Sequence, residues 1–407
     1  MNRLLRIGFD KFVPTLAPLL IWFFLGIFVD PQLVNINSLF YPLYFLFGVI
    51  VTVFAVGANI SAYRFARSDV SRNDEIATAT IIGVVLVAAL SVGIFANLGN
   101  FLAFMRIDSP NIRAFFLFAI VDFALYYALY FAMQKLWFAG KNKRANRITI
   151  EFNALTVAAI LLAVSFAKIF ALGSYFIVFF ALTPIVIYSV WKFFANFTPP
   201  KKLVFRPLNW LKFDLVDVVQ DVFMFAIYFF GFANSFAFGP EWVLLISFET
   251  LATDAQWDAG GAVNSVAQID AAKQHFNYKN HRKNAMKFTF LLALATVAMF
   301  AFFIIFIHVN FWLAALLVFA NILCFFPNNI YSIQGSYLQI HGREKLLAGN
   351  KIFANSLRTI CSFLPTPFCT LIGMVVSIIY QYFSVGIIYR RHVSRVRDAK
   401  VRENLAP

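Results

Sequence analysis

The chain has 407 residues, 61% hydrophobic and 13% charged, with 53 Phe and a formal net charge of +15. Soluble domains carry about 25% charged residues, so this composition excludes an ordinary globular protein. So much large apolar surface is needed only where the outside of the fold, as well as its core, must be apolar.

Apolar runs able to cross a ~30 Å hydrocarbon core recur from end to end. They lie near 12–29, 37–59, 76–99, 112–134, 148–170, 174–196, 214–238, 240–265, 287–308, 310–336, 350–367 and 368–389. The first follows a basic stretch, Met1–Lys11, and ends at Asp30 without a small-residue cleavage site, so it reads as a span rather than a removed signal. The last two are separated only by Pro365 and Pro367, which leaves twelve spans or eleven. The expected fold class is an all-α polytopic membrane protein of about 12 transmembrane helices.

The basic residues test this layout. With the N-terminus inside, 30 of the 34 Lys and Arg fall in inner segments: Arg3–Lys11, Arg64–Arg72, Lys135–Arg147, Lys192–Lys212, Lys273–Lys287, Arg343–Lys351 and Arg390–Arg402. Only Arg106 and Arg113 lie in an outer loop, and Lys168 and Arg358 fall within spans. This is the positive-inside asymmetry, so the charge is topological and no nucleic-acid partner is expected. Both termini are expected on the cytoplasmic side of a plasma membrane.

The sequence also repeats. Gly140 in Met133–Arg144 and Gly342 in Gly335–Lys345 stand 202 residues apart, and Asn153 and Asn355, thirteen residues beyond each, keep that offset. Val56-Gly-Ala-Asn59 and Gly260-Gly-Ala-Val-Asn264 match at about the same distance. An even number of spans per half gives the two halves one orientation, related by an axis along the membrane normal. The expected organisation is a six-helix bundle over 1–200, a cytoplasmic linker over 201–212, and a second six-helix bundle with a basic tail over 213–407. Facing bundles of this kind leave a central cleft suited to alternating access.

Enzyme motifs are missing: no GxGxxG, Walker loop, GxSxG or HExxH occurs. The expectation is a non-enzyme without organic cofactor, driven by an ion gradient or by a partner. The three cysteines (Cys324, Cys361, Cys369) lie in apolar sequence without a CxxC, as packing residues do.

Ionisable residues inside spans are costly and so informative. Eight of the 19 acidic residues fall between 214 and 270. Asp214, Asp217 and Asp221 share a helical face; Asp214 and Asp217 also fit helix-N-terminal caps. At 1.5 Å per residue Asp221 lies about 12 Å from the inner surface, level with Asp254 at about 9 Å, with Glu249 above and Asp258 nearer the cytoplasm. Carboxylates gathered in a low dielectric cannot all stay ionised, so a Na+ is held among them or one keeps a proton. Asp217, Asp221, Glu249, Asp254 and Asp258 are therefore the candidate coupling residues, with Arg358 as counter-ion or gate and Asp122, Asn153 and Asn355 as secondary candidates. No other metal site is expected. A minority of the abundant rings could line a cleft for planar or cationic compounds.

Val56–Asp69 with its following charged loop, and Gln134–Ala145 with Asn153 downstream, together with their counterparts around 260–270 and 334–355, resemble the multidrug and toxic compound extrusion (MATE) family. That family belongs to the multidrug/oligosaccharidyl-lipid/polysaccharide exporter (MOP) superfamily. The resemblance implies an exporter coupled to Na+ or H+, with a small-molecule substrate and the lipid bilayer as its partners. Members of one branch carry a carboxylate in the first span, where this chain has none. Another branch uses acids in spans seven, eight and ten; here span ten has Asn321, Asn328 and Asn329 instead. The competing readings are a flippase of lipid-linked saccharides and a non-transport membrane scaffold. The flippase would need a basic cleft, for which only Arg358 lies deep in the spans. Substrate identity, the coupling ion and the oligomeric state are not legible in the sequence.

Overall fold

The computed structural model describes residues 18, 20–22, 24–64, 72–107, 109–239, 242, 245–246, 249, 261–268, 270–271, 275–307 and 310–403. All regular structure among these is helical, as backbone buried in lipid demands, since every N–H and C=O must be satisfied within its own segment. Eight helices among the described residues are long and apolar enough to cross a membrane. The fold is all-α and polytopic.

A 3-10 turn, Pro31–Val34, is capped by Asp30, whose carboxylate accepts from the Gln32 N–H at 2.9 Å. It leads into α1 (Asn35–Val51), which runs through a π-helical segment, Thr52–Gly57, into α2 (Ala58–Arg64). Then come α3 (Arg72–Ala96), the short α4 (Leu98–Phe104), α5 (Pro110–Phe138), α6 (Asn142–Ile169), α7 (Ser174–Asn196) and α8 (Pro207–Phe236). Residues 261–268 are helical, followed by α9 (Tyr278–Ile307), α10 (Phe311–Ile340), α11 (Glu344–Ser362) and α12 (Cys369–Glu403). The C-terminal stretch therefore forms two helices. α11 starts six residues before the expected span and stops at Ser362, ahead of Pro365 and Pro367, because proline disfavours the helical conformation of its predecessor.

By contact, Leu16–Ser247 forms one compact unit, and Phe248–Pro407 makes up most of the second. The first unit thus includes α8, which packs along α1 and the π segment. A packing boundary records what touches what, whereas the 201–212 boundary read from the repeat records how the sequence is built. Within the second unit α10 packs on α9 and α12, and α11 lies along α12.

The repeat has a backbone signature. Gly140 (φ 74°) ends α5 and Gly342 (φ 73°) ends α10 in the left-handed region, which glycine enters without steric cost. In both, the next residue closes a Schellman loop: Lys141 N–H to Leu136 O at 2.8 Å, and Arg343 N–H to Leu338 O at 3.0 Å. The following helix starts two residues after each glycine.

The segment joining α7 to α8 is pinned to α3. The backbone N–H of Lys201 donates to Asp74 Oδ1 at 2.8 Å, and that of Val204 to Thr78 Oγ1 at 3.1 Å. Glu75, only 3% exposed, takes the Ser61 hydroxyl (2.7 Å) and the Trp210 indole N–H (2.8 Å) on one oxygen. Trp210 is fully buried against Phe54 and Phe205. Glu75→Ala leaves two buried donors short of their acceptor and is expected to cost about 2 kcal/mol. In thermal unfolding in detergent, Glu75→Ala should melt well below wild type and Glu75→Gln, which keeps an acceptor oxygen, should fall between them.

Candidate functional site

Asp221 is presented by α8 to α1 inside the first unit. Its carboxylate accepts from Thr52 Oγ1 at 3.3 Å, at the first residue of the π segment. Gly48, one turn earlier, makes room for it: a Cβ there would stand 3.1 Å from Asp221 Oδ2. π-helical bulges often mark functional positions because the ladder is locally irregular; here the irregularity coincides with a helix–helix contact that carries a carboxylate.

On the same α8 helix, Asp217 is exposed. The capping alternative for Asp214 and Asp217 does not hold, because α8 begins at Pro207 and has no acidic residue in its first turn. Pro207 occupies the position where a missing N–H costs nothing. Asp254 and Asp258 lie outside the described residues, and the expected level pairing of Asp221 with Asp254 falls there too.

The second carboxylate of the first unit, Asp122 on α5, accepts from Thr156 on α6 at 3.4 Å. Asn153, one turn before Thr156, turns back on its own helix and donates to the Thr149 carbonyl at 2.9 Å. Around Asp122 the sequence crowds rings, and the structure sorts them. Tyr44 packs against Phe123 and Tyr127, with centroids 5.9 and 6.0 Å apart. Tyr126 packs on Tyr127, and Tyr41 meets Tyr228 edge to face at 4.5 Å. Tyr127 is buried, whereas Tyr44 stays 39% exposed. These rings form a tyrosine band shared by α1, α5 and α8 within the unit.

In the second unit Glu249 is 7% exposed and accepts from Asn321 of α10, a long contact of 3.5 Å. Arg358 on α11 is equally buried, at 6%. Both act electrostatically on Cys324, one turn beyond Asn321, and Arg358 also on Tyr331. A buried acid and a buried base thus both stand within electrostatic reach of Cys324 on α10. Gly373 of α12 lets the α11 backbone approach, since a Cβ there would lie 3.2 Å from the Arg358 carbonyl oxygen. Asn355, also buried, precedes Arg358 on α11.

Sequence reasoning missed Thr52, Gly48 and the role of Asn321. Thr52 and Gly48 carry no charge and signal nothing until α8 is packed beside them. Asn321 was visible as a departure from the acidic pattern of span ten, and its amide answers Glu249. The buried Asp74 and Glu75 stand just before the apolar run of span three, where nothing in the sequence singles them out.

An all-helical architecture with long apolar spans and carboxylates set at helix–helix contacts defines the class: a polytopic helical membrane protein. The fold is that of the MATE transporters of the MOP superfamily. The chain is similar to a MOP superfamily transporter from Pyrococcus furiosus, described as having a binding pocket of reverse polarity (TM-score 0.65, 14% identity, covering 97% of this chain and 96% of that one). It is also similar to a multidrug resistance MATE family transporter in its inward-facing conformation (0.63, 14%, 98% and 96%) and to one in the outward-facing conformation (0.62, 13%, 97% and 96%). No protein-family profile matches the chain, and no curated protein does.

Thr52→Val removes one donor to Asp221 while preserving side-chain shape. It is expected to lower stability by about 1 kcal/mol near neutral pH. Pairing it with Asp221→Asn in a double-mutant cycle by thermal unfolding should return a non-zero coupling, and additive effects would mean the contact carries no energy.

Proposed function

We propose that the chain is a secondary active exporter of small amphipathic or cationic compounds, coupled to Na+ or H+ antiport by alternating access. The observation that carries this reading is the placement of carboxylates, half-buried Asp122 and Asp221 and buried Glu249, at helix–helix contacts within a MATE-type fold. A buried carboxylate is costly to keep charged and gains by binding a cation or a proton. A group of that kind can exchange one cation for another only if its surroundings alternate between two arrangements.

The substrate class rests on the aromatic band. Tyrosine faces attract cations and planar rings, and Tyr44, the exposed member, stands on the same α1 helix as Gly48, one turn before the Asp221 contact. Substrate and coupling cation would then compete through one helix, α1. Arg358 is assigned the counter-ion role for Glu249 in the other unit, and Asn355 a supporting one. Asp217, Asp254 and Asp258 complete the coupling set, with Asn153 secondary. No organic cofactor takes part, the small-molecule substrate and the bilayer are the partners, and no enzymatic step is involved. In this reading the six-plus-six repeat, with halves at 1–200 and 213–407 about the 201–212 linker, sits in the plasma membrane with both termini in the cytoplasm.

Flux of a fluorescent cationic dye in proteoliposomes under an imposed Na+ or proton gradient tests the reading. Wild type should move dye against its gradient, and only when the coupling gradient is present. Asp221→Asn and Glu249→Gln should each reduce gradient-driven flux by roughly an order of magnitude or more, as removal of a charge-assisted interaction would. Unchanged flux in both variants would reject the coupling site; absence of any gradient-driven flux in wild type, with binding of lipid-linked saccharide instead, would reject the exporter.

A further inference from the structure

The end of the second unit formed by the α10–α11 turn and α12 holds a linked group of histidines that the transport reading does not use. The His341 ring stacks on Tyr337 at 4.0 Å and stands 5.7 Å from the His392 ring, edge to face. Tyr337 continues to Phe276 at 4.8 Å, and Phe276 stacks on His281 at 5.1 Å.

Two hydrogen bonds fix how these rings hold their protons. His341 Nδ1 lies 2.7 Å from the Tyr337 carbonyl oxygen. A carbonyl only accepts, so that nitrogen carries the hydrogen. His392 Nδ1 lies 3.4 Å from Arg343 Nε. The guanidinium Nε–H only donates and an arginine does not lose its charge, so here the imidazole must present its lone pair. Neutral His392 therefore carries its hydrogen on Nε2, an atom buried without a hydrogen-bond partner. The contact exists only while His392 is neutral. A second proton would go onto Nδ1, where it meets the Arg343 N–H, donor against donor and charge against charge.

Among the described residues, the titratable and charged groups facing His392 are Arg343 and His341 from the α10–α11 turn, Tyr337 from α10, and Arg395 from its own helix. None is acidic, so none would compensate the added charge. Arg343 follows Gly342 and immediately precedes α11. α11 is the helix that carries Asn355 and Arg358.

We propose that the Arg343–His392 contact is a proton-operated latch that fastens the start of α11 to α12 when His392 is neutral and releases it when His392 is protonated. Histidine is the side chain whose charge changes near physiological pH, so acidification on the side bearing these basic loops would free the α11 end. The latch stands on its own geometry and does not require Asp221 or Glu249 to be the coupling site.

Hydrogen exchange of the full-length protein in detergent, followed by mass spectrometry of peptides covering 340–350 and corrected for intrinsic rates, reads the latch directly. In wild type, protection of this stretch should fall roughly tenfold between pH 8 and pH 5.5, the change expected for losing one hydrogen bond from a charged donor. His392→Asn keeps an acceptor oxygen near the Nδ1 position but cannot take the proton; its protection should be the same at both pH values. Flat protection in wild type, or a surviving pH step in His392→Asn, would overturn the proposal. If His392→Asn does not fold, Arg343→Ala decides. Weak protection at both pH values supports the latch, and a retained step refutes it.

Discussion

Every carboxylate placed inside this membrane fold must be answered by a neighbouring group, because hydrocarbon offers neither water nor counter-ions. That single requirement organises the helix packing. Asp221 is answered by Thr52 across the α1–α8 contact, Asp122 by Thr156 across α5–α6, and Glu249 by Asn321 of α10. At the membrane edge Glu151 is matched twice, by Arg147 at 2.6 Å and Lys192 at 2.8 Å. The contrast is informative. The edge carboxylate has two cationic partners, whereas Asp221, Asp122 and Glu249 each accept from a neutral hydroxyl or amide donor at 3.3–3.5 Å. A neutral donor at such a distance steadies a carboxylate without neutralising it.

Much of the fold was legible. The all-helical, membrane-spanning character followed from apolar run lengths, and the matching turns from Gly140 and Gly342, because a helix C-terminus that needs a positive φ leaves glycine as a visible mark. Where the reading failed, the cause was local chemistry acting at a distance in sequence. The N-terminus of α8 looked like Asp214 because charge marks the edge of an apolar run, but hydrogen bonding continues into polar sequence, and Pro207 starts the helix seven residues earlier. α11 likewise extends past its apolar stretch at one end and stops short at the prolines.

The site was legible only in its charged half. Asp221, Glu249 and Arg358 announce themselves because ionised groups are rare in spans. Their partners do not: Thr52, Gly48, Asn321 and Thr156 are ordinary residues in membrane helices, and become significant only once two helices fix them opposite a charge. A glycine such as Gly48 is the extreme case, since its contribution is the absence of a Cβ where a carboxylate needs space. No pattern within one helix can reveal a residue whose function is to be small for a neighbour 173 positions away.

The duplication and the chemistry also diverge. The Schellman turns at Gly140 and Gly342 are equivalent to the hydrogen bond, so the backbone kept its two-fold plan. The helices that follow them, α6 and α11, did not keep equivalent side chains. α6 carries Asn153 hydrogen-bonded to its own helix, and α11 carries Arg358 buried beside the Glu249 environment. Backbone turns are constrained by geometry that both halves must satisfy, so they persist. Buried charges are constrained by their partners, which differ between α6 and α11. Asp122 and its single hydroxyl partner in the first unit show the same logic with the base removed. The result is two copies of one scaffold holding carboxylates in different electrostatic surroundings, one beside a buried arginine and one beside tyrosines.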